Sequence, residues 1–455
     1  MVSSAPHSVL MFDQHCSRVN GRRVRLTTSR PIPTPPEQFG DLDRWLASFT
    51  SWERQVPLAK DRRSLSPDRC RDLLERASIC SGRSPVIQVA GTKGKGSTVL
   101  WMESLLRIRS VPCAATLSPH LQSIVERIRI DGAELTEQAI LQGLRKLHPF
   151  LIDSSDPSSV PPTFFDLWIA LFAQQASEAG DRWWLLEVGL GGPLDSTGAI
   201  PHDVGVLTTI DLDHQAILGD TIDQIAAEKA RIATAGKPMV IAQGPGNDCA
   251  FDVARRRGSL PFIVSEDSRI PGHIQSPQRL NASCALAALE SNPDQPPWSA
   301  NEIYLAAQQL ELPGRLERID GQFPLLLDGA HTPRSLQIFA DEFARYRSSS
   351  AGALLIGMLA DKDLRSNLSA LTRLQPAPEM MAVTPPSHRG LPAAELASIL
   401  EQLGFECHFE EHPEQGLEWL MKKAADGEPT AATGSMFLAG WVRQHWPQRD
   451  RQASC

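Results

Sequence analysis

Apolar and polar positions along this 455-residue chain fall into two recurring patterns. Short, nearly continuous apolar runs closed by glycine or polar residues read as buried strands. Longer stretches with apolar positions three or four apart read as amphipathic helices. A helix-like segment at 41–52 opens the ordered body. Strands are then expected at 85–90, 111–116 and 128–130, the last turning at Asp131-Gly132. Helices are expected at 99–108 and 135–148, with a Ser/Pro-rich loop at 154–162 and an apolar helix at 163–176. A buried strand at 183–188, strands at 204–209, 238–242 and 262–264, and a helix at 222–233 complete a first unit. After a Pro/Asp/Asn loop at 292–297 and the turn Leu312-Pro-Gly-Arg315, a second alternation begins. Its strands are expected at 325–327, 353–357, 380–384 and 406–410, and its helices at 333–346, 364–374, 396–403 and 414–425. A strand and turn at 430–439 closes it. Strands alternating with helices imply parallel sheets covered on both faces. The fold class is therefore α/β, with a larger domain at 37–310, a smaller Rossmann-like domain at 311–455 and an extension at 1–36. No internal repeat is evident.

Composition narrows this picture. A chain of this length is expected to form two domains, and 42% hydrophobic with 22% charged residues suits a soluble globular protein. A formal charge of −8 argues against nonspecific nucleic-acid binding, and no apolar run has the length of a membrane span. Eight scattered cysteines without a C-x-x-C pair suggest reduced thiols and a cytoplasmic setting. The leader carries Arg18, Arg22, Arg23, Arg25 and Arg30 against Asp13 alone, then a proline run at 31–36. It reads as a transit peptide or as a plain extension, and the extension is preferred.

The chemistry starts at 86–98. An apolar run enters a loop with Gly91, Thr92, Gly94, Lys95 and Gly96, and Ser97 and Thr98 open a helix. Glycines admit phosphate oxygens to backbone N–H groups, the helix terminus adds positive potential, lysine neutralises outer phosphates, and a hydroxyl can hold Mg2+. The spacing departs from G-x-x-x-x-G-K-[ST], because Val89 replaces the first glycine and Gly96 separates Lys95 from Ser97. Three further clusters follow strands. Glu187 precedes a glycine turn at 189–192, and Asp211, Asp213 and His214 form an acid–acid–histidine group able to hold a divalent cation. Asp328 and His331 share a strand tip, and Arg315 follows the interdomain turn. Read alone, Glu187 serves equally as a turn cap, Lys229 as solvated surface and Arg315 as a surface ion pair.

Taken in order, these pieces resemble the folylpolyglutamate synthase/dihydrofolate synthase family, a branch of the Mur ligase superfamily. The matching stretches are 89–98, Ser118-Pro-His-Leu121, 126–132, Thr163-Phe-Phe165, 187–195, 212–221, 225–232, 279–282, 312–317, 327–331 and 433–435. The resemblance implies that Gly91, Thr92, Gly94, Lys95, Gly96, Ser97 and Thr98 hold ATP phosphates, with Asn281 at the adenine and Arg315, Asp328 and His331 reaching ATP from the second domain. It implies two Mg2+ sites, with Ser97, Ser118 and Glu187 at the first and His214 at the second, beside a carbamylated Lys229. Ser118, Pro119, His120, Phe164 and Phe165 would face the pterin or folate, and Ser435 the incoming glutamate. Catalytic weight would rest on Lys95, Lys229, His214, Arg315 and His331.

The implied reaction joins L-glutamate to dihydropteroate, a reduced folate or both through an acyl phosphate. The implied partners are small molecules, with no nucleic acid and no membrane, and the chain is expected to be a monomer. Another Mur-type amide ligase, or a P-loop small-molecule kinase, is the alternative. Lys93, Pro193, the Ser196-Thr-Gly198 run and Thr332 depart from the usual family residues.

Overall fold

The computed structural model describes residues 32–51, 65–80, 82, 84–152, 160–360 and 364–447, with the short strands Arg18–Val19 and Arg22–Arg23. The rest of the leader, residue 52 of the expected first helix and 154–159 of the expected loop lie outside the described residues.

The larger sheet has eight strands: β1 (Val86–Ala90), β2 (Cys113–Thr116), β3 (Ile128–Ile130), β4 (Ala133–Glu134), β5 (Trp183–Glu187), β6 (Val204–Leu207), β7 (Pro238–Ala242) and β8 (Leu260–Val264). Their order is β8-β7-β6-β1-β5-β2-β3-β4. The pairs β2–β3 and β3–β4 are antiparallel and all the others parallel. Every residue of β1, β5 and β6 is buried, which is why these runs are apolar without alternation. One face is covered by helices Lys95–Ile108, Gln278–Glu290 and Ala300–Gln309. The other is covered by Asp68–Arg76, Glu137–Leu147 and Phe164–Glu178, and by Ile222–Ala230 with Asn247–Arg256.

The smaller sheet comprises β9 (Glu317–Ile319), β10 (Leu325–Leu327), β11 (Ala353–Ile356), β12 (Glu379–Val383), β13 (Cys407–Glu410) and β14 (Thr430–Thr433). Its order is β9-β10-β14-β11-β12-β13, with only β9 antiparallel to its neighbour. The carboxyl tips of β1, β5, β6 and β10 carry the candidate side chains, where parallel sheets gather ligands.

Local chemistry explains several boundaries. Thr163 caps Phe164–Glu178: its Oγ1 accepts the Asp166 N–H, and Asp166 Oδ2 accepts the Thr163 N–H at 2.9 Å. Such a cap contributes about 1 kcal/mol. Arg69 at 3.0 Å and Ser196 at 2.6 Å satisfy the rest of that buried carboxylate. The helix expected to start at 99 starts at Lys95, because Gly94 turns the chain into it with φ +90°. The segment expected as a helix over 41–52 is a 3-10 turn, Phe39–Asp41, and one short helix, Leu42–Leu46. At 364–374 the α-helix stops at Leu368 and continues as the 3-10 turn Ser369–Arg373.

The turn expected after the strand at 430–433 is instead a helix, Met436–His445, begun by Ser435, whose Oγ accepts the Leu438 N–H at 3.1 Å. Among the described residues, five further helices were not anticipated: Asp68–Arg76, Gln215–Leu218, Asn247–Arg256, Gln278–Glu290 and Ala300–Gln309. In Gln278–Glu290 burial is nearly continuous from Asn281 to Leu289, so no polar face marks its period.

The two units meet at the loop after β2. Leu121 belongs to the apolar core of the smaller unit, and a Cβ on Gly440 would collide with the Leu121 carbonyl. Arg443 pairs with Glu317 at 2.9 Å and donates to Gln122 Oε1 at 2.8 Å. These links hold the smaller unit against the 118–122 loop.

Candidate active site

The phosphate-loop geometry follows from two glycines. At φ +90°, Gly94 is in a conformation that side chains avoid, and a Cβ there would strike Asn281 Oδ1. A Cβ on Gly96 would sit 3.2 Å from Glu187 Oε2. The loop is stitched to β6 and the loop after it. Thr92 and Lys93 N–H donate to Thr209 O at 2.9 and 3.2 Å, Thr208 Oγ1 donates to Lys93 O at 2.8 Å, and Thr92 Oγ1 donates to Asp211 O at 3.2 Å. A Cβ on Gly91 would strike Thr208 Oγ1. Thr98 N–H already donates to Gly94 O at 2.9 Å, and its hydroxyl is buried in the sheet-facing core. The N–H groups of Lys95, Gly96 and Ser97 are therefore those that open from the helix start. Lys95 Nζ folds back to Thr92 O at 3.4 Å.

Glu187 ends β5 only 4% exposed. Burial raises its pKa, while Lys95, the Ser118 N–H and the charges of Arg315 and Arg127 pull it back. Its Oε2 accepts the Ser118 N–H at 2.7 Å, next to the cis Ser118–Pro119 bond. The structure thus brings Lys95, Gly96, Ser118 and Glu187 together. Lys229, 4% exposed on Ile222–Ala230, has its pKa lowered to about 7, first by burial and then by the like charge of Lys95. Asp213 and Asp195 oppose this, and Lys93 reinforces it. Lys93 pairs with Asp213 at 3.6 Å, and Asp213 lies 3.9 Å from His214 Nε2. His214 has φ +50° and a 46% exposed side chain.

From the smaller unit, Asp328 at the tip of β10 accepts the Leu316 N–H at 2.7 Å. Burial lifts its pKa to about 6 against the pull of Arg315 and, across the cleft, of Lys93. The charge of Arg315, on the smaller unit, favours the ionised forms of both Asp328 and Glu187. His331 Nδ1 lies 2.8 Å from Gly329 O, and its N–H donates to Ser335 Oγ at 3.1 Å.

The remaining candidates occupy two places. His120 Nδ1 accepts from Arg127 Nε at 2.8 Å, and the Arg127 guanidinium lies 5.2 Å from the Phe164 ring centroid. Pro119 is exposed beside them. The Phe165 ring lies where a Cβ on Gly189 would be, 2.8 Å away. Asn281 is buried against Gly94, with Nδ2 donating to Gln278 Oε1 at 3.2 Å. Ser435 is 1% exposed and its hydroxyl serves the helix cap.

Sequence reasoning passed over Arg127 and Asp195 as site residues, and it read Asp213 as part of a cation-holding group without its pairing to Lys93. Arg127 is a charge directly before an apolar strand, and it is buried. Asp195 is a buried acid that accepts from Leu190 N–H at 2.9 Å and Thr197 Oγ1 at 2.6 Å. A charge placed inside an apolar context was the available signal in both cases.

Among the described residues no group of three or more His, Cys, Asp and Glu side chains stands ready to hold a metal. The donor set instead suits a hard cation that draws on a carboxylate, hydroxyls, water and nucleotide phosphates. Burial disfavours the ionised form of Glu187, and a nearby cation would offset that cost.

Asp328 gives a stability prediction. Its folded pKa of about 6 exceeds the ordinary 3.8. Ionisation therefore costs stability increasingly from about pH 4 to pH 6 and fully above it, and the cost is gone well below pH 3.8, where both states are protonated. Asp328→Asn removes the titration. In urea melts of the nucleotide-free protein the variant should gain on wild type by up to about 3 kcal/mol from pH 4 to pH 7. A difference that stays constant with pH contradicts the assignment.

A larger α/β domain with a mostly parallel sheet facing a smaller α/β domain is the arrangement of a Mur-type ligase. This chain belongs to the dihydrofolate synthase/folylpolyglutamate synthase family. It is 31% identical over 323 residues to the Escherichia coli dihydrofolate synthase/folylpolyglutamate synthase, covering 66% of this chain and 74% of that protein. A Haloferax volcanii protein, a probable bifunctional folylpolyglutamate synthase/dihydropteroate synthase, is 26% identical over 393 residues, covering 79% of this chain and 46% of that one. The chain thus spans about half the length of that relative. Among solved structures, E. coli FolC in complex with DHPP and ADP matches with a TM-score of 0.77 and 25% identity, covering 90% of this chain and 98% of that one. The Yersinia pestis bifunctional enzyme complexed with AMPPNP and Mn matches with a TM-score of 0.75 and 25% identity over 90% and 98%. No protein-family model matches the chain.

Proposed function

We propose that this chain is an ATP-dependent ligase that joins L-glutamate to the carboxylate of dihydropteroate, a reduced folate or both. The observation that carries this reading is the convergence of Lys95 and Glu187 on the first turn of the phosphate-loop helix, with Arg315 reaching both Glu187 and Asp328 from the smaller unit. The relatives' names and the nucleotide, DHPP and Mn in their structures support it.

In this reading Lys95 and the N–H groups at the helix start hold the ATP phosphates, Arg315 and Asp328 hold the nucleotide from the other lobe, and Asn281 braces the turn at Gly94. A carboxylate oxygen of the acceptor attacks the γ-phosphorus, the bond to the β–γ bridging oxygen breaks, and ADP leaves with an acyl phosphate formed. The glutamate amine then attacks the acyl carbon, loses a proton, and inorganic phosphate departs with the C–O electrons. Ser97, Ser118 and Glu187 would hold one Mg2+, and His214 with a carbamylated Lys229 a second. The ions would neutralise charge on the transferring phosphoryl group. Lys95 and Arg315 contribute to the same end by preorganised positive charge.

The 118–122 loop, held to the smaller unit through Leu121, couples lobe closure to the carboxylate end of the acceptor and keeps water from the acyl phosphate. His120, fixed by Arg127, and the Phe164 and Phe165 side chains would lie on the pterin side of the cleft. His331 would add a contact to ATP, and Ser435 would lie near the glutamate. The division into domains near residue 310, a cytoplasmic setting and a monomer belong to the same proposal. No described helix is long and apolar enough to cross a membrane.

The test is phosphate release with ATP and glutamate, comparing dihydropteroate with tetrahydrofolate. Release that needs both glutamate and one of these acceptors supports the reading. Phosphorylation of a small molecule without glutamate would favour the kinase alternative.

A further inference from the structure

Two loops of the larger unit are joined by one side-chain relay. Lys93 has its backbone fixed on both sides, by its N–H on Thr209 O and by Thr208 Oγ1 on its carbonyl. Its ammonium therefore has a defined direction, and it lies 3.6 Å from Asp213 Oδ2, with both side chains mostly shielded from water. The other oxygen, Asp213 Oδ1, accepts the His214 N–H at 2.9 Å and lies 3.9 Å from His214 Nε2. His214 itself is left-handed, with φ +50°, a conformation histidine enters at a cost unless its surroundings impose it. One carboxylate thus takes the lysine on one oxygen and the strained histidine on the other. His214 then starts the helix Gln215–Leu218, so its backbone angle also sets where that helix departs.

We propose that Lys93 is a positioning residue that, through Asp213, holds the left-handed turn at His214 and aims its imidazole across the phosphate loop. The role of His214 rests on the ligase reading above, whereas the relay itself does not. An ammonium fits this post because it meets a single carboxylate oxygen as a point charge and is held by its backbone rather than by a fork of donors. The relay acts on the histidine loop and not on nucleotide affinity in general, which separates it from the work of Lys95.

The test is a double-mutant cycle with Lys93→Met, Asp213→Asn and the pair, with Lys93→Arg as the conservative variant. Two quantities are read: steady-state kinetics, and calorimetric Mn2+ affinity in the presence of a non-hydrolysable ATP analogue. Each single change should lower kcat by about tenfold and leave the KM for ATP within about twofold. The pair should lose no more than the worse single, Mn2+ affinity should follow the same non-additive pattern, and Lys93→Arg should recover most of both.

Additive losses in the pair overturn the proposal. So does an unchanged kcat with a raised KM for ATP, which would make Lys93 a phosphate contact. Should Lys93→Met fail to fold by circular dichroism, Lys93→Gln carries the cycle. If wild type forms no product from ATP, glutamate and either acceptor, the ligase reading fails, whereas an active wild type with Mn2+ affinity unchanged across the cycle overturns the relay alone.

Discussion

Lys95→Ala should reduce the rate of the chemical step by about a thousandfold, roughly 4 kcal/mol of transition-state stabilisation. The reason is local. Lys95 is the cation nearest the helix start, where the N–H groups of Lys95, Gly96 and Ser97 open outward, and its charge acts on both Glu187 and Lys229. In the proposed reaction, negative charge on the transferring phosphoryl group would grow near that ammonium. Methylene truncation leaves the loop fold intact, because the loop is held by Thr209 O, Thr208 Oγ1 and the Gly94 turn rather than by the lysine. The loss should therefore fall on kcat more than on ATP binding. Rapid-quench single turnover measures it, and a single-turnover rate equal to wild type removes Lys95 from the mechanism.

Lys229→Ala is the second large effect, with an expected loss of about a hundredfold or more in kcat. A lysine 4% exposed, beside another lysine, is poorly placed as a cation, and its pKa of about 7 records that conflict. A neutral amine can take up CO2, releasing a proton and becoming an anionic carbamate, which converts a misplaced positive charge into an oxygen donor. Uptake requires the unprotonated amine, so loading should fall as pH drops below about 7 and rise above it. Wild type prepared without CO2 should be slow and recover on adding bicarbonate, and labelled bicarbonate should give a carbamate carbon signal by NMR that is missing in the variant. Lys229→Ala with near-normal turnover, or wild type indifferent to CO2, contradicts the role. The metal-free stability has its own sign. Protonated Lys229 disfavours the folded state below pH 7, and that cost is relieved as pH rises toward 10.5.

Strands were legible where burial on both faces makes a short apolar run: 238–242 and 325–327 have the expected bounds, as does the antiparallel 128–130, which was marked by its Asp131-Gly132 turn. Amphipathic helices such as Pro333–Tyr346 were equally plain. Helices escaped where the cue was missing. Gln278–Glu290 is buried nearly all round from Asn281 onward, and Met436–His445 begins at a serine cap straight after a strand, where a turn was the simpler expectation.

At the site, residues carried by short motifs were readable because backbone spacing alone brings a glycine loop, a lysine and a helix start together. Arg127 and the Lys93–Asp213 pair were not, because their meaning depends on partners 7 and 120 positions away in sequence. Asn281 shows the same limit. The resemblance implies a contact with the adenine, and the fold adds a packing of its amide against Gly94 that no spacing rule encodes.

The central claim is that phosphoryl transfer activates the acceptor's carboxylate in the cleft between Lys95, Glu187 and Arg315. The most direct measurement uses an acceptor labelled with 18O in that carboxylate, incubated with ATP and glutamate, with the released phosphate read by mass spectrometry. The account predicts one 18O atom transferred to each phosphate released. Phosphate that carries no label, while the amide product accumulates, would contradict it.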